Sequence, residues 1–370
     1  MYAEALREAG VEAWVLWDFR GSNPVLWEVL GAPPPGTSRR VVLILRPDAE
    51  PRLVCSVLDR PLLEGAGVPL DVYGDRRELV EKLGRFSGRV AMEYSPLNAL
   101  PIVSFADAGA VELVRSLGAE VVSSADLFQA VAAAWDDEAE ASHHRAVRHV
   151  MELHALARAH ARGSTEAAVV RRVLDEIAAR GLETDGEPGV TAGPGDPHHE
   201  AGDLVIGQDA VLLVDIWARE PGLRTAFGDV TWMSFTGPEP PAQVREVVAA
   251  VAAGRDAALA LARAGTPAFE LDRAARAAIE QAGYGHGLMH RTGHSLGVGG
   301  PGSRVHGLGA NLDDTETHDD RKLAPGTAFT VEPGVYLPEF GVRLECNVHL
   351  HRERGAVVTT PLQTELTLLP

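Results

Sequence analysis

The sequence predicts a two-domain protein of the α/β (α+β) class. Its 370 residues are enough for two domains with separate cores. Residues 1–134 alternate short apolar runs with helical stretches, which is typical of an α/β domain. Residues 135–370 begin with long helical segments and continue with strand-like runs that carry unusual polar residues. We therefore expect an N-terminal domain over 1–134 and a C-terminal domain over 135–370.

The N-terminal segment has clear strand and helix patterns but no evident chemistry. Its predicted strands are Ala13–Trp17, Val41–Leu45, Arg52–Cys55 and Arg89–Met92, and its predicted helices are Arg77–Leu83 and Asn98–Ala108. The proline-rich run Ala32–Gly36 predicts a loop. We therefore assign no catalytic chemistry to this segment.

The C-terminal segment opens with two predicted helices. The first spans about Asp136–Ala161 and ends at Gly163, and Ser164 or Thr165 then caps a second helix that extends to Arg180. The first helix is rich in histidine: His143, His144, His149, His154 and His160. Because these histidines share no i, i+4 face with a set of carboxylates, we interpret them as surface residues.

Two further helices interrupt the strands that begin near Gly186. Pro241–Arg263 carries an apolar stripe of valines at helical spacing, Val244, Val247, Val248 and Val251. Thr266-Pro267 then starts the next helix, with proline expected in its first turn. The glycine-rich run Gly297–Gly309 predicts a loop, because it lacks the strand-to-helix setting and the Lys-Ser/Thr ending of a phosphate loop.

The bulk composition excludes several classes of partner. A formal charge of −18 argues against binding to nucleic acid or to an anionic membrane, since both require a basic face. No segment reaches the ~18 apolar residues that span a bilayer, and the charged N-terminus lacks the apolar region of a signal peptide. The only cysteines, Cys55 and Cys346, favour a reducing compartment, and we interpret Cys346 as a packed core residue. We expect a cytoplasmic protein.

Five residues of the C-terminal half carry most of the functional information. They are Asp215 in an apolar run, Asp229 in a strand-like run, His294 in a Gly-His-Ser-Leu-Gly string, Glu332 before Pro-Gly, and Glu345 after Gly-Val-Arg-Leu. Burial of an unpaired carboxylate on an apolar strand costs several kcal/mol unless a cation pairs with it. Few basic residues lie in these segments. Four carboxylates and one imidazole suit two divalent cations that share bridging carboxylates. Any one acidic residue alone is more often a solvated charge.

These motifs resemble the pita-bread metallopeptidase family, which includes methionine aminopeptidase, prolidase and aminopeptidase P. The shared strings are Gly293-His294, Glu332-Pro-Gly-x-Tyr336 and Gly341-x-Arg-x-Glu345, and Pro197-His198-His199 is similar to the proline-specific branch. The resemblance implies a creatinase-like α/β N-terminal domain, a pita-bread catalytic domain and frequent homodimers. It also implies two divalent ions (Mn, Zn or Co) and hydrolysis of Xaa-Pro bonds in dipeptides or short peptides.

The resemblance also assigns a role to each matching residue. Asp215 would bind one metal, His294 and Glu332 the other, and Asp229 and Glu345 both, with a metal-bridging hydroxide as the nucleophile. Glu332 would in addition carry the proton to the leaving nitrogen. His198, with His199 as the alternative, would contact the substrate, His306 would stabilise the tetrahedral intermediate, and Arg343 would orient the acidic ligands. Tyr336 and His290 would line the substrate site, although ordinary packing for Tyr336 and a structural hydrogen bond for His290 remain open.

Three departures from the family pattern bear on substrate preference. The two aspartates are 14 residues apart, against a usual 11, which places a lengthened turn at Glu220–Gly222. His306 follows His294 by 12 residues, against a usual seven, which places an insertion at Gly299–Ser303. Trp232 stands where the proline branch often has arginine.

Several functions therefore stay open within this resemblance. Dipeptidase, aminopeptidase and carboxypeptidase-type action are not separated by the sequence. A metal-free, creatinase-like hydrolase and a non-catalytic peptide-binding protein also stay open, although relatives of both types usually lose the ligands that this chain keeps. The resemblance favours proline-containing short peptides as partners, because a bond before proline has no N–H and needs a dedicated site.

Overall fold

The computed structural model describes residues 2–369, which divide into two compact units between Ala132 and Ala133. Each unit mixes helices and strands, which agrees with the predicted α/β class. None of the helices in these residues is long and apolar enough to cross a membrane.

The first unit is built on one mixed sheet. Its helices are α1 (Tyr2–Glu8), α2 (Pro24–Leu30), α3 (Arg60–Leu63), α4 (Arg76–Leu83), α5 (Ala108–Ser116) and α6 (Ala125–Val131). Its strands are β1 (Ala13–Phe19), β2 (Arg40–Arg46), β3 (Ala49–Ser56), β4 (Leu70–Tyr73), β5 (Arg89–Met92) and β6 (Glu120–Ser123). The sheet order is β4-β3-β2-β1-β5-β6, with β1, β2 and β3 antiparallel and the outer pairs parallel. The four predicted strands are confirmed, whereas β4 and β6 were not predicted.

The predicted helix Asn98–Ala108 is wrong. Pro96–Asn98 and Pro101–Val103 form separate 3₁₀ turns, and Leu97 and Asn98 have φ angles of 55° and 56°. Proline disfavours a helical conformation at the residue before it, and Leu100 before Pro101 is not helical (φ −127°, ψ 84°), so a helix from Asn98 cannot continue through this point. The helix starts later, where the Asp107 carboxylate accepts a hydrogen bond from the N–H of Ala110 at 2.9 Å.

The helices of the second unit follow the predictions closely. They are α7 (Asp137–Ala161), α8 (Glu166–Ala179), α9 (Ala242–Leu261) and α10 (Ala268–Gln281). Thr165, rather than Ser164, caps α8 by accepting a hydrogen bond from the N–H of Ala168. Pro267 occupies the N-cap of α10 and not its first turn. The valine stripe of α9 is buried as predicted.

The surface interpretation of the α7 histidines is wrong for two of them. His143 and His154 are fully buried, and the ring nitrogens of His143 lie 2.6 Å from the Phe227 carbonyl oxygen and 2.7 Å from Thr359 Oγ1. His154 Nε2 lies 2.8 Å from the Val230 carbonyl oxygen. The two histidines are 11 positions apart, about three helical turns, and so face the same neighbouring strands. Desolvation lowers the pKa of both to about 3, so both are neutral near pH 7.

The strands of the second unit form several small sheets. They are β7 (Gly189–Thr191), β8 (Val211–Ala218), β9 (Thr225–Ala226), β10 (Gly228–Phe235), β11 (Val298–Gly299), β12 (Ala328–Val331), β13 (Gly334–Tyr336), β14 (Gly341–Arg343), β15 (Cys346–His351), β16 (Gly355–Val358) and β17 (Thr367–Leu368). The largest sheet has the order β17-β10-β8-β7, and β12-β15-β16 forms another. β13 pairs with β14, and β9 with β11.

One face of the β8–β10 hairpin packs against helices α7 and α8, and the opposite face carries Asp215 and Asp229. Leu212, Val214 and Ile216 of β8 pack with Val230 of β10 against apolar residues of α7 and α8. Side chains alternate across a strand, so Asp215 must point to the other face. The same alternation turns Trp232, which lies opposite Val214, towards the helices.

Candidate metal centre and active-site cleft

Strand register brings the two aspartates together. Within the β8–β10 hairpin, Thr231 lies opposite Asp215 and Trp217 lies opposite Asp229, so the aspartates are diagonal neighbours on one face. Glu345 approaches the same point, and its Oε2 accepts a hydrogen bond from the N–H of Thr231 at 2.6 Å. One ligand atom from each of Asp215, Asp229 and Glu345 lies within 4.8 Å of the others.

The two glutamates meet through a second antiparallel register. Val331 of β12 lies opposite Cys346 of β15, and Gly334 lies opposite Arg343, so the register between these pairs places Glu332 across from Glu345. Cys346 itself is fully buried and forms no disulfide, which confirms the interpretation of a core residue. Desolvation by burial raises the pKa of its thiol to about 12, so it is no thiolate ligand near neutral pH.

His294 completes the group of five. Its Nε2 lies 3.3 Å from Asp229 Oδ2 and 3.4 Å from Glu332 Oε1. Its Nδ1 lies 2.9 Å from the Ser295 carbonyl oxygen, which can only accept, so Nδ1 carries the proton and Nε2 has its lone pair free. A histidine oriented in this way by its other nitrogen is the usual form of a metal ligand.

Two supporting residues that sequence reasoning missed hold these ligands in place. The Asn347 side chain bonds both the N–H and the carbonyl of Asp229, at 3.1 and 2.6 Å. Thr330 Oγ1 accepts from the N–H of His294 at 3.0 Å and donates to Glu332 Oε1 at 3.1 Å. Each lies two residues from a glutamate of the cluster, a spacing that could have been found in the sequence.

Arg343 is the cation that pairs directly with the cluster. It donates to Asp215 Oδ2 at 2.9 Å and to Glu332 Oε2 at 3.2 Å, and its guanidinium is largely buried. It therefore lies where the sequence predicts an orienting cation, on the strand that leads to Glu345.

The cluster carries more negative charge than its own residues neutralise. Four carboxylates against one guanidinium give a formal charge of −3 when all are ionised and His294 is neutral. Desolvation, followed by repulsion from neighbouring carboxylates, raises the pKa of both Asp229 and Glu345 well above their ordinary values. Burial acts to raise the pKa of Glu332 as well, but His294 and Arg343 outweigh it and hold that pKa low.

Two buried oxygens show that the residues fit divalent cations. Asp215 Oδ1 and Glu345 Oε1 are buried without any hydrogen-bond donor. An unsatisfied buried carboxylate oxygen is costly, and a hard divalent cation with oxygen and imidazole ligands would satisfy both atoms. Asp215, Asp229, His294, Glu332 and Glu345 are the residues that would hold such ions.

The ligand cluster opens into a cleft of about 940 Å³. His306 lines it, with its ring centroid 3.9 Å from that of His294. Arg291 also lines it, and its Nη2 lies 3.4 Å from His306 Nδ1. Desolvation, reinforced by His294 and Arg291, lowers the pKa of His306, which is therefore neutral near pH 7.

His290 lines the cleft and is paired with Tyr336 behind it. His290 Nδ1 lies 2.6 Å from the Arg291 carbonyl oxygen, and its Nε2 lies 2.8 Å from the Tyr336 hydroxyl. Both ring nitrogens of His290 are thus engaged, and the buried Tyr336 is absent from the residues that line the cleft. This geometry favours a structural role for both residues.

The two histidines of the Pro-His-His string differ in their surroundings. Both line the cleft, but His198 is exposed, whereas His199 is half-buried and its Nε2 lies 2.7 Å from the carboxylate of Glu166. Glu166 is fully buried and was not identified from the sequence. It also accepts from the N–H of Ala192 at 2.8 Å, so it fixes the segment that carries both histidines.

The two lengthened segments lie against each other. β9 pairs with β11, and the buried Arg219 donates to the carbonyl oxygens of Gly299 and Gly300 at 2.6 and 2.7 Å. The predicted loop Gly297–Gly309 thus includes a short strand. Trp232, the third departure, donates from Nε1 to Thr367 Oγ1 at 2.9 Å and does not line the cleft.

Fold and site together define a class of protein, the metallopeptidases of family M24. The model of this family matches residues 137–352, more than half of the chain, and the chain belongs to the family. This membership confirms the family resemblance and agrees with the acidic cluster that could bind metal.

The more particular similarities are to dipeptidases. The chain is 32% identical over 227 residues to the probable dipeptidase PepE of Mycobacterium tuberculosis, covering 58% of this chain and 57% of that protein. It is 30% identical over 220 residues to an Xaa-Pro dipeptidase of Lactobacillus delbrueckii subsp. lactis, covering 56% and 54%. The chain therefore matches a little over half the length of these curated relatives. The solved structure of dipeptidase PepE from Mycobacterium ulcerans superposes with a TM-score of 0.74 at 25% identity, covering 100% of this chain and 96% of that chain.

Proposed function

We propose that this protein is a dinuclear metal-dependent exopeptidase that hydrolyses Xaa-Pro bonds in dipeptides or short peptides. The observation that carries the proposal is the convergence of Asp215, Asp229 and Glu345 within 4.8 Å, beside His294 and Glu332, at a cleft that all of these residues except Glu345 line. The names of the relatives, dipeptidase and Xaa-Pro dipeptidase, support the substrate class.

The arrangement of the cluster supports two ions rather than one. Two separate buried carboxylate oxygens, Asp215 Oδ1 and Glu345 Oε1, lack a donor, and His294 with Glu332 forms a second group of ligand atoms beside Asp229. Asp229 lies between the His294–Glu332 side and the Asp215–Glu345 side, which suits a bridging ligand. When bound, Mn, Zn or Co ions would supply Lewis acidity and bring the pKa of a bound water towards neutrality.

The protein's own groups would move the proton and stabilise developing charge. Glu332 Oε1 faces His294 Nε2, so we assign proton transfer, from the attacking water to the leaving nitrogen, to Glu332 Oε2. Arg343 donates to that same oxygen and keeps the carboxylate ionised and oriented. His306 accepts from Arg291 at Nδ1, which leaves its Nε2–H to donate towards the oxygen of a tetrahedral intermediate.

Preference for proline is the finer part of the proposal. A bond before proline has no N–H for a general peptidase to grip, so its hydrolysis needs a site that does not depend on this contact. The Pro197-His198-His199 segment, which lines the cleft, supports such a site. We also propose that the protein forms a homodimer, which light scattering would test. We propose proline-containing short peptides as its binding partners, which substrate screening would test.

Product identification by mass spectrometry tests the proposal. Metal-depleted protein, reloaded separately with Mn, Zn and Co, is given Xaa-Pro dipeptides and longer peptides with proline second from either end. We expect metal-dependent cleavage before proline, abolished in Glu332→Ala and preserved in the control Glu187→Gln, which alters an exposed carboxylate of the same cleft. Full activity of Glu332→Ala would overturn the mechanism, and no cleavage by any metal-loaded protein would favour a binding role.

A further inference from the structure

Arg291 is a cation of the active-site cleft that the metal cluster does not use. It is half-buried at the cleft wall, beside several carboxylates, yet it forms no ion pair with any carboxylate of residues 2–369. Its guanidinium instead approaches a ring nitrogen, with Nη2 at 3.4 Å from His306 Nδ1. Such a long contact to a neutral ring uses only part of a guanidinium with five N–H donors.

The other arginine of the cleft differs in this respect. Arg343 donates to Asp215 and to Glu332, so its charge is committed to the ligand cluster. The other charged residues that line the cleft are acidic, among them Glu187, Glu200 and Glu316. In such a cleft, an anion would find its favourable partner at Arg291.

The position of Arg291 relates it to the reacting bond. Its guanidinium contacts His306, whose ring lies 3.9 Å from that of the proposed ligand His294. In a peptide that ends in proline, the carboxylate carbon of the last residue lies roughly 3 Å from the preceding carbonyl carbon. When the scissile carbonyl is held at the ligand cluster, the terminal carboxylate therefore lies within reach of Arg291, which is separated from His294 by the ring of His306.

We propose that Arg291 binds the free C-terminal carboxylate of the residue that leaves, so that the protein acts on bonds directly before a C-terminal residue, as in dipeptides. This inference rests on the proposed function and deepens it, because, of the three end-selectivities that the motifs leave open, it favours dipeptidase and carboxypeptidase-type action over aminopeptidase action. A planar guanidinium pairs with a carboxylate through two parallel hydrogen bonds, which also fixes the orientation of the substrate. Peptides that continue beyond the leaving residue place an uncharged amide there and lose this pairing.

A pair of substrates that differ only in this charge tests the proposal. Wild type, Arg291→Gln, Arg291→Lys and the control Arg304→Gln are assayed on Ala-Pro and on Ala-prolinamide. Arg304 lies two residues from His306 and does not line the cleft, so its substitution removes the same charge from a neighbouring place. Inhibition by L-proline and by L-prolinamide is measured in parallel.

We expect Arg291→Gln to lose about 10- to 100-fold in kcat/KM on Ala-Pro, mainly through KM, and to change little on Ala-prolinamide. Arg291→Lys should recover part of the loss, Arg304→Gln should resemble wild type, and inhibition by L-proline but not L-prolinamide should weaken in Arg291→Gln. Equal losses on both substrates would indicate a structural role and overturn the inference, as would no loss on either. If wild type cleaves neither substrate, the proposed function itself fails and the inference falls with it.

Discussion

Arg343 donates from Nη2 to Oδ2 of Asp215 at 2.9 Å, joining residues 128 positions apart in the sequence. The same guanidinium reaches Glu332 through Nη1 at 3.2 Å. One cation thus links the β8–β10 hairpin to the segments that carry Glu332 and Glu345. Its importance should depend on whether divalent ions are also present.

Replacing Arg343 should therefore affect the metal-free protein most. In Arg343→Met, the carboxylates of Asp215 and Glu332 lose their buried counter-ion, and we expect the metal-free protein to lose about 3 kcal/mol of unfolding free energy. The metal-loaded variant should lose less stability but should lose activity, because Glu332 is no longer oriented. Urea unfolding followed by circular dichroism, with and without Mn, measures the difference. Equal destabilisation in both states would contradict this explanation.

Binding of divalent ions should raise the melting temperature. Ions that bind the folded protein and not the unfolded chain stabilise it by mass action, about 2.7 kcal/mol at 100 times the dissociation constant. Scanning calorimetry at increasing Mn concentration measures the shift, and chelation should reverse it. Asp229→Asn and Glu345→Gln should abolish the shift, while Glu187→Gln, a cleft carboxylate outside the cluster, should retain it. A shift that survives both ligand substitutions would mean that the ions bind elsewhere.

His143 should make the fold sensitive to acid. Desolvation by burial lowers the pKa of His143 from 6.5 to about 3, so between these values the unfolded chain binds more protons than the folded one. The contribution is fully present above pH 6.5 and is lost as the pH falls towards 3. From pH 7 to pH 5 we expect His143 to cost about 2 kcal/mol of apparent unfolding free energy.

His143→Gln should reduce this pH dependence, as measured by urea unfolding at pH 7 and pH 5. His144→Gln, on the exposed side of the same helix, is the matched control and should leave the dependence as in wild type. An unchanged slope in His143→Gln would show that other groups dominate the response to acid.

Trp232 should affect stability without affecting substrate choice. Its indole donates to Thr367 and packs with the core beneath the hairpin, away from the cleft. Trp232→Phe should lower stability by about 1 kcal/mol through the lost hydrogen bond and leave KM for Xaa-Pro substrates within about twofold of wild type. Thr367→Val removes the same bond from its other end and should reproduce the stability loss. A selective change in KM would place Trp232 in the substrate site after all.

The sequence determined which chemical groups are available and much of the local structure. Short apolar runs predicted β1, β2, β3 and β5, and capping residues and valine spacing predicted α7, α8 and α9, because these patterns act over a few residues. The acidic and histidine motifs predicted the five residues that the fold assembles. The expected helix at Asn98–Ala108 is absent, because Pro101 disfavours a helical conformation at Leu100 before it.

Only the tertiary structure decided which side chains meet and which are hidden from water. The hairpin register placed Asp229 beside Asp215, and helix packing buried His143 and His154. The tertiary structure also leaves Arg291 without a carboxylate partner among residues 2–369. Local sequence patterns do not predict this, because it depends on the distances between segments far apart in the chain. Hydrophobic periodicity specifies the face on which a residue lies. The partner it finds there depends on strand register and on the packing of elements far apart in the chain.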